Sequence, residues 1–112
     1  MVTKALSSPF GSTTRTRVLV TLRLMGSSYP RELARLLAVS PSLVLKALRS
    51  LERDGLVAGR TIGRSRVYTL DPRYFAKEDL RRYLARLSEA DGDLRDRVAR
   101  LRRRPRWSGK PL

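Results

Sequence analysis

Between Ser12 and Met25 the apolar residues Val18, Leu19, Leu22 and Met25 recur at the three- and four-residue steps of one helical face. Ser12 or Thr13 caps its start, so the pattern predicts a helix ending near Met25. Val20 and Leu24 fall on its opposite side, and a second apolar stripe predicts a second partner, such as another subunit. Gly26-Ser27-Ser28 interrupts the pattern. Pro30 suits the first position of a second helix, and Glu32 in its first turn suits the helix dipole. Leu33, Leu36 and Leu37 give that helix an inward face before it ends at Ala38. Ser40 then caps a third helix, with Pro41 at its first position and Asp54-Gly55 as its stop.

After Gly55 the period changes. The stretches Leu56–Ile62 and Arg66–Leu70 are β-prone, joined by Gly63-Arg64-Ser65 as a hairpin turn, and Asp71-Pro72 ends the second strand. Tyr68 and Leu70 are expected to pack this hairpin onto the core. From about Phe75 the chain reads as helical again, with apolar residues at Leu80, Leu84, Leu87, Leu94, Val98 and Leu101. Their spacing is that of a heptad seam in which Asp91 occupies one position, followed by Gly92. Asp-Gly-Asp makes a poor helix interior, so two segments are expected, the first ended by Gly92 and the second capped by Asp93. Residues 1–11 read as a mobile lead-in, 12–72 as the main domain, 73–104 as one or two C-terminal helices for dimerisation, and 105–112 as a basic tail.

On a helical wheel the third helix divides in two. Val44, Ala47, Leu48 and Leu51 cluster as a core face, while Ser42, Lys46, Arg49 and Arg53 lie opposite, with Ser50 beside them. Leu45 sits at the border, open to thymine methyl contact or packing, and Leu43 is expected to pack locally. A solvated charged face is the ordinary explanation of such a strip. Here it starts at a capped helix N-terminus, follows another helix by two or three residues, and precedes a basic hairpin. That spacing is the helix-turn-helix arrangement, and the combination favours insertion into a DNA major groove.

Charge strengthens this expectation. The 112 residues carry 25 basic and 10 acidic side chains, a net charge of +15, which calls for a polyanionic partner, nucleic acid before anionic membrane. With no cysteine and no histidine, thiolate metal sites and the commonest general base are both excluded. The acidic cluster Glu89, Asp91, Asp93 and Asp96 lacks the spacing of a calcium loop, and is better spent on capping and on pairing with Arg95, Arg97 and Arg100. No catalytic constellation, cofactor or metal site is expected. The chain also lacks a run of apolar residues long enough to span a bilayer or the pattern of a secretory signal, which predicts a cytoplasmic, nucleoid-associated protein.

The segments "GSTTRTRVLVTL" (Gly11–Leu22), "ELARLLAVSPSLVLKALRSLERDGLV" (Glu32–Val57) and "GRSRVYTL" (Gly63–Leu70) resemble winged helix-turn-helix transcriptional regulators of the ArsR-like type, a motif shared with MarR-like and PadR-like members. The resemblance implies a mainly α fold with a small β-hairpin: a winged helix-turn-helix carrying a C-terminal helical, coiled-coil-like extension. It also implies a recognition helix at Ser40–Arg53 and a wing at Arg60–Arg66. Candidate DNA contacts are then Ser40, Ser42, Leu45, Lys46, Arg49 and Arg53, with Arg60 and Arg66 on phosphates and Arg64 at the wing tip reaching the minor groove, the alternative being an ordinary charged hairpin that resists edge aggregation. Arg31 and Arg35 on the second helix are weaker backbone candidates, and the arginine-rich stretch Arg102–Arg106 is a further phosphate arm or a solvated end. Dimerisation would use the first and last helices, through Val20, Leu24, Leu80, Leu84 and Leu87, with Leu94, Val98 and Leu101 open to another protein. The expected activity is double-stranded DNA binding as a homodimeric repressor. The alternatives are a protein-interaction module and a sequence-tolerant architectural DNA binder. Metal sensing through cysteine and histidine ligands, common among ArsR-like proteins, is not expected of a sequence that has neither.

Overall fold

The computed structural model describes residues 9–103. Helix α1 (Thr13–Met25) is followed by a short strand β1 (Ser27–Ser28), helices α2 (Pro30–Leu37) and α3 (Pro41–Arg53), and strands β2 (Val57–Ile62) and β3 (Ser65–Leu70). Two C-terminal helices complete the order, α4 (Lys77–Ser88) and α5 (Gly92–Arg103). The sheet is antiparallel in the order β1-β3-β2. This is a winged helix, mostly helical, with α3 and the β2–β3 hairpin adjacent in the chain.

Local chemistry accounts for the element ends. The Ser12 hydroxyl accepts from Arg15 N at 3.1 Å and caps α1, and the Ser40 hydroxyl accepts from Leu43 N at 3.3 Å and caps α3. Ala38 takes a left-handed conformation (φ 56°, ψ 44°) to turn the chain from α2 toward α3. Gly63 (φ +62°) lets Ile62 pair directly with Ser65, so the hairpin loop has two residues, Gly63 and Arg64, one fewer than the sequence suggested. Strand β1 was not foreseen, because two serines carry no β signal. It exists through its register with β3, Ser27 opposite Thr69 and Ser28 opposite Tyr68. The buried Ser28 hydroxyl then donates to Glu32 Oε1 at 2.7 Å, satisfying a carboxylate that α2 carries into the core.

The core is continuous through both halves of the chain. Val18, Leu19, Val20 and Leu22 of α1 are buried together with Leu33, Val44, Leu48 and Leu51, and Tyr68 and Leu70 pack the hairpin against them. Helix α4 and helix α5 cover the other side of α1, burying Leu80, Leu84, Leu87, Leu94 and Val98. This corrects the expected subunit interface. Val20 and Leu84 are 0% exposed and Leu80 and Leu87 nearly so, while Leu24 and Leu101 are half-buried against the same cluster. The second stripe of α1 does need a partner, but α4 and α5 of the same chain supply it. Leu94 and Val98 are consumed in the same way and are not open to another protein.

Two segments do form, with their junction one turn from where it was expected. Helix α4 ends at Ser88, and the cap of α5 is Asp91, whose Oδ1 accepts from Leu94 N at 3.2 Å; Gly92 is the first helical residue and Asp93 lies inside the first turn. The lead-in is anchored sooner than expected. Phe10 packs on the core, its ring centroid 5.8 Å from that of Tyr83, and its carbonyl accepts from Arg15 Nε at 2.6 Å. Residues 1–8 and 104–112 lie outside the described residues, and with them the whole basic tail, 105–112, and Arg104–Arg106 of the arginine-rich stretch. No helix among the described residues is long and apolar enough to cross a membrane.

Candidate nucleic-acid interface

Helix α3 shows the division read from its sequence. Val44, Ala47, Leu48 and Leu51 are buried, while Ser40, Ser42, Lys46, Arg49 and Arg53 are exposed. Ser42, Leu45, Lys46, Arg49, Ser50 and Arg53 line one shallow concavity along the helix. The half-buried Leu45 forms part of its surface. Leu43 departs from expectation: it is 49% exposed in the first turn of α3 rather than packed locally. It presents an apolar group beside the N-terminal hydroxyls of Ser40 and Ser42, which lie 3.3 Å apart.

Lys46, Arg49 and Arg53 make no ion pair among the described residues, so their charge is available to an incoming anion. Ser50 is not available. Its hydroxyl is engaged by Arg15 Nη1, and Arg15 Nη2 pairs with Asp54 Oδ2 at 2.9 Å. Arg15 therefore clamps the C-terminal half of α3 to α1. Nothing in the sequence marked it apart from the other arginines, since its partners lie 35 and 39 residues away.

On the hairpin, Arg60 and Arg64 are exposed and unpaired among the described residues, Arg64 at the turn. Arg66 is different. Its Nη2 donates to Glu52 Oε2 of α3 at 2.9 Å, and its guanidinium carbon lies 5.6 Å from the Tyr68 ring centroid. Tyr68 first, and the Glu52 charge behind it, raise the Arg66 pKa above its ordinary value. Arg66 thus ties the hairpin to α3 and neutralises Glu52, one of the two acidic side chains that flank Arg53, the other being the Asp54 held by Arg15. Gly59 makes that stack possible, because a Cβ there would lie 2.8 Å from Tyr68 Cε2 and 2.9 Å from Arg66 Nε. Arg35 does not join this surface; it lines a separate cleft against α5. Among the described residues no group of acidic side chains could hold a metal ion.

A basic strip on a capped helix, set beside a basic antiparallel hairpin, defines the class. Residues 13–58 match the family model described as winged helix-turn-helix DNA-binding, from the start of α1 to the start of β2. Two solved structures share the fold. One is the adhesin competence repressor AdcR from Streptococcus pyogenes, 18% identical with a TM-score of 0.60, the match covering 80% of this chain and 66% of that one. The other is a mutant of ZitR from Lactococcus lactis, 18% identical with a TM-score of 0.56, covering 86% of this chain and 66% of that one. The likeness is one of fold, and this chain spans just under two thirds of the length of each. No curated protein sequence matches this one. That description does not reach the narrower ArsR-like assignment, which rests on the sequence motif alone.

Proposed function

We propose that this protein binds double-stranded DNA as a transcriptional regulator, with α3 in the major groove and the β2–β3 hairpin against the flanking backbone. The observation that carries this reading is the strip Ser42, Lys46, Arg49 and Arg53, exposed and concave on a helix whose other face is core. Lys46 and Arg49 are assigned to base edges, Ser40, Ser42 and Arg53 to the groove walls, Leu45 to thymine methyl contact, and Arg60 and Arg64 to phosphates. Arg66 acts mainly through Glu52, holding the hairpin in place. The match to a DNA-binding family over residues 13–58 supports the same reading.

Occupying a promoter would block it, so repression is the expected effect, and AdcR is an adhesin competence repressor. A homodimer suits this role, because two recognition helices can then enter successive major grooves about 34 Å apart. Its interface is not the leucine seam, which the chain's own core takes up. Among the described residues Tyr29, Leu43, Ile62, Phe75 and Tyr83 are the large apolar side chains left exposed, and Phe75 and Tyr83, on the α4 side away from the strip on α3, are the ones assigned to it. Selection of bound sequences from a random duplex library tests the reading. An enriched palindrome supports a dimeric regulator, unselective recovery would make the protein architectural, and no recovery would leave a protein-interaction module.

A further inference from the structure

A second basic concavity lies away from the recognition strip. It occupies about 660 Å³ between α2 and α5, and is lined by Arg35, Leu36, Arg97, Arg100, Leu101 and Arg103. Its size is within the range of about 300–1,000 Å³ common for small-molecule sites. Arg97 is already committed: Nη1 donates to the Leu36 carbonyl at 2.7 Å and Nη2 pairs with Asp93 at 2.9 Å. Arg35, Arg100 and Arg103 make no side-chain hydrogen bond or ion pair among the described residues. Glu32 also lines the cleft, with Oε1 held by the Ser28 hydroxyl. Among the described residues, the four cleft guanidiniums outnumber the carboxylates of Glu32 and Asp93.

We propose that this cleft binds a phosphate-bearing small molecule of nucleotide size. Three guanidiniums suit a polyanion better than a single carboxylate, because each can make paired hydrogen bonds to phosphate oxygens. The half-buried Leu101, with the exposed edge of Leu36 beneath it, offers the apolar surface on which a planar base would rest. The position matters for regulation. Arg35 belongs to α2, three residues before the left-handed Ala38 that turns the chain toward α3, and Arg100 and Arg103 belong to α5. A bridging anion fastens these helices together and removes positive charge from the molecule, so it weakens DNA binding. DNA then weakens the anion by the same factor. Only this regulatory consequence rests on the DNA-binding reading; the site itself does not.

Calorimetric titration of the full chain with ADP and with inorganic pyrophosphate tests the site. One ADP per chain is expected, bound more tightly than pyrophosphate because Leu36 and Leu101 contribute. Arg35→Gln with Arg100→Gln should weaken ADP by about tenfold or more, from the loss of charge-assisted hydrogen bonds, while Arg49→Ala leaves it unchanged. Both cleft arginines are exposed, and Arg103→Gln serves as a second variant should the double variant melt early. Binding of several ADP per chain, or equal weakening by Arg49→Ala, would reduce the cleft to diffuse positive charge and overturn the proposal. No heat at millimolar ADP overturns it as well. So does loss of duplex affinity in the cleft variant without ADP binding, which would make the cleft a DNA backbone contact. ADP binding by a chain that binds no duplex would sink the DNA reading and leave the site standing.

Discussion

Arg17 Nε donates to Asp91 Oδ2 across 2.9 Å, joining the first helix to the start of the last. The Asp91 side chain is 1% exposed, and its other oxygen caps α5 through Leu94 N. One carboxylate therefore fixes the helix that covers α1 and lines the cleft against α2. The charged pair sits where a heptad seam would have an apolar residue, which is why the seam bends into two helices folded on their own chain.

Asp91→Ala should be severely destabilising. It removes the cap, worth about 1 kcal/mol, and leaves the largely buried Arg17 guanidinium unpaired, a loss of roughly 3 kcal/mol or more. Asp91→Asn retains an oxygen for the cap and should cost less. Urea unfolding of the three proteins checks the order. Equal stability of wild type and Asp91→Ala would refute the keystone role.

Leu84→Glu separates a core from a subunit interface. Leu84 is 0% exposed within the single chain, so the variant should lose about 3 kcal/mol or more of stability. In an interface the same change would dissociate folded subunits. Circular dichroism melting alongside light scattering distinguishes a chain that unfolds from one that remains folded and merely halves its mass.

The helices were legible because their signals are local: Ser12 and Ser40 as caps, Pro30 and Pro41 at helix starts, and apolar residues at helical spacing. The basic strip on α3 was legible for the same reason, since a wheel needs no knowledge of the rest of the fold. What sequence reading misjudged was which surface each apolar stripe meets. Val20, Leu84 and Leu94 say only that they must be covered, and a subunit or a neighbouring helix satisfies that requirement equally. Long-range polar pairs were invisible. Arg15 with Asp54, Arg17 with Asp91 and Arg66 with Glu52 are chosen from 25 basic residues by the fold alone.

Replacing Lys46 and Arg49 by alanine should abolish preference among duplexes, at about 1–3 kcal/mol per good base contact. Both side chains are exposed and unpaired among the described residues, so melting should shift little. Fluorescence anisotropy on a selected site and a scrambled one reads the result. Unchanged affinity and preference would remove α3 as the recognition helix.

Asp71 links stability to pH. Its Oδ1 accepts from Arg73 N at 2.8 Å, and this backbone bond, with the Arg73 guanidinium behind it, lowers the carboxyl pKa below its ordinary 3.8. A depressed folded-state pKa means the ionised form is favoured by folding, so the contribution is complete well above pH 3.8 and fades as pH falls through the lowered value. Asp71→Asn should be less stable than wild type at neutral pH, and the gap should close in acid. Urea midpoints measured from pH 2 to 7 test this, and a gap that widens in acid has the wrong sign.

The hairpin arginines should not behave alike. Arg64 is exposed at the turn with no ion-pair partner among the described residues, so on the proposed reading its whole charge reaches a phosphate. Arg64→Ala should lower the slope of log affinity against log salt by about 0.9, the release of one counterion, and weaken all duplexes similarly. Arg66 already neutralises Glu52 at 2.9 Å. Removing it exposes that carboxylate to the duplex and frees the hairpin from α3, so Arg66→Ala should cost more affinity than one phosphate contact explains. Glu52→Gln separates the two effects. It removes the repulsion, releases Arg66 to the backbone and should tighten binding, and the double variant with Arg66→Ala should recover part of the single loss. Affinities of wild type and the four variants across a salt series decide the matter. Arg66→Ala and Arg64→Ala giving the same loss, with Glu52→Gln silent, would leave the hairpin as ordinary basic surface.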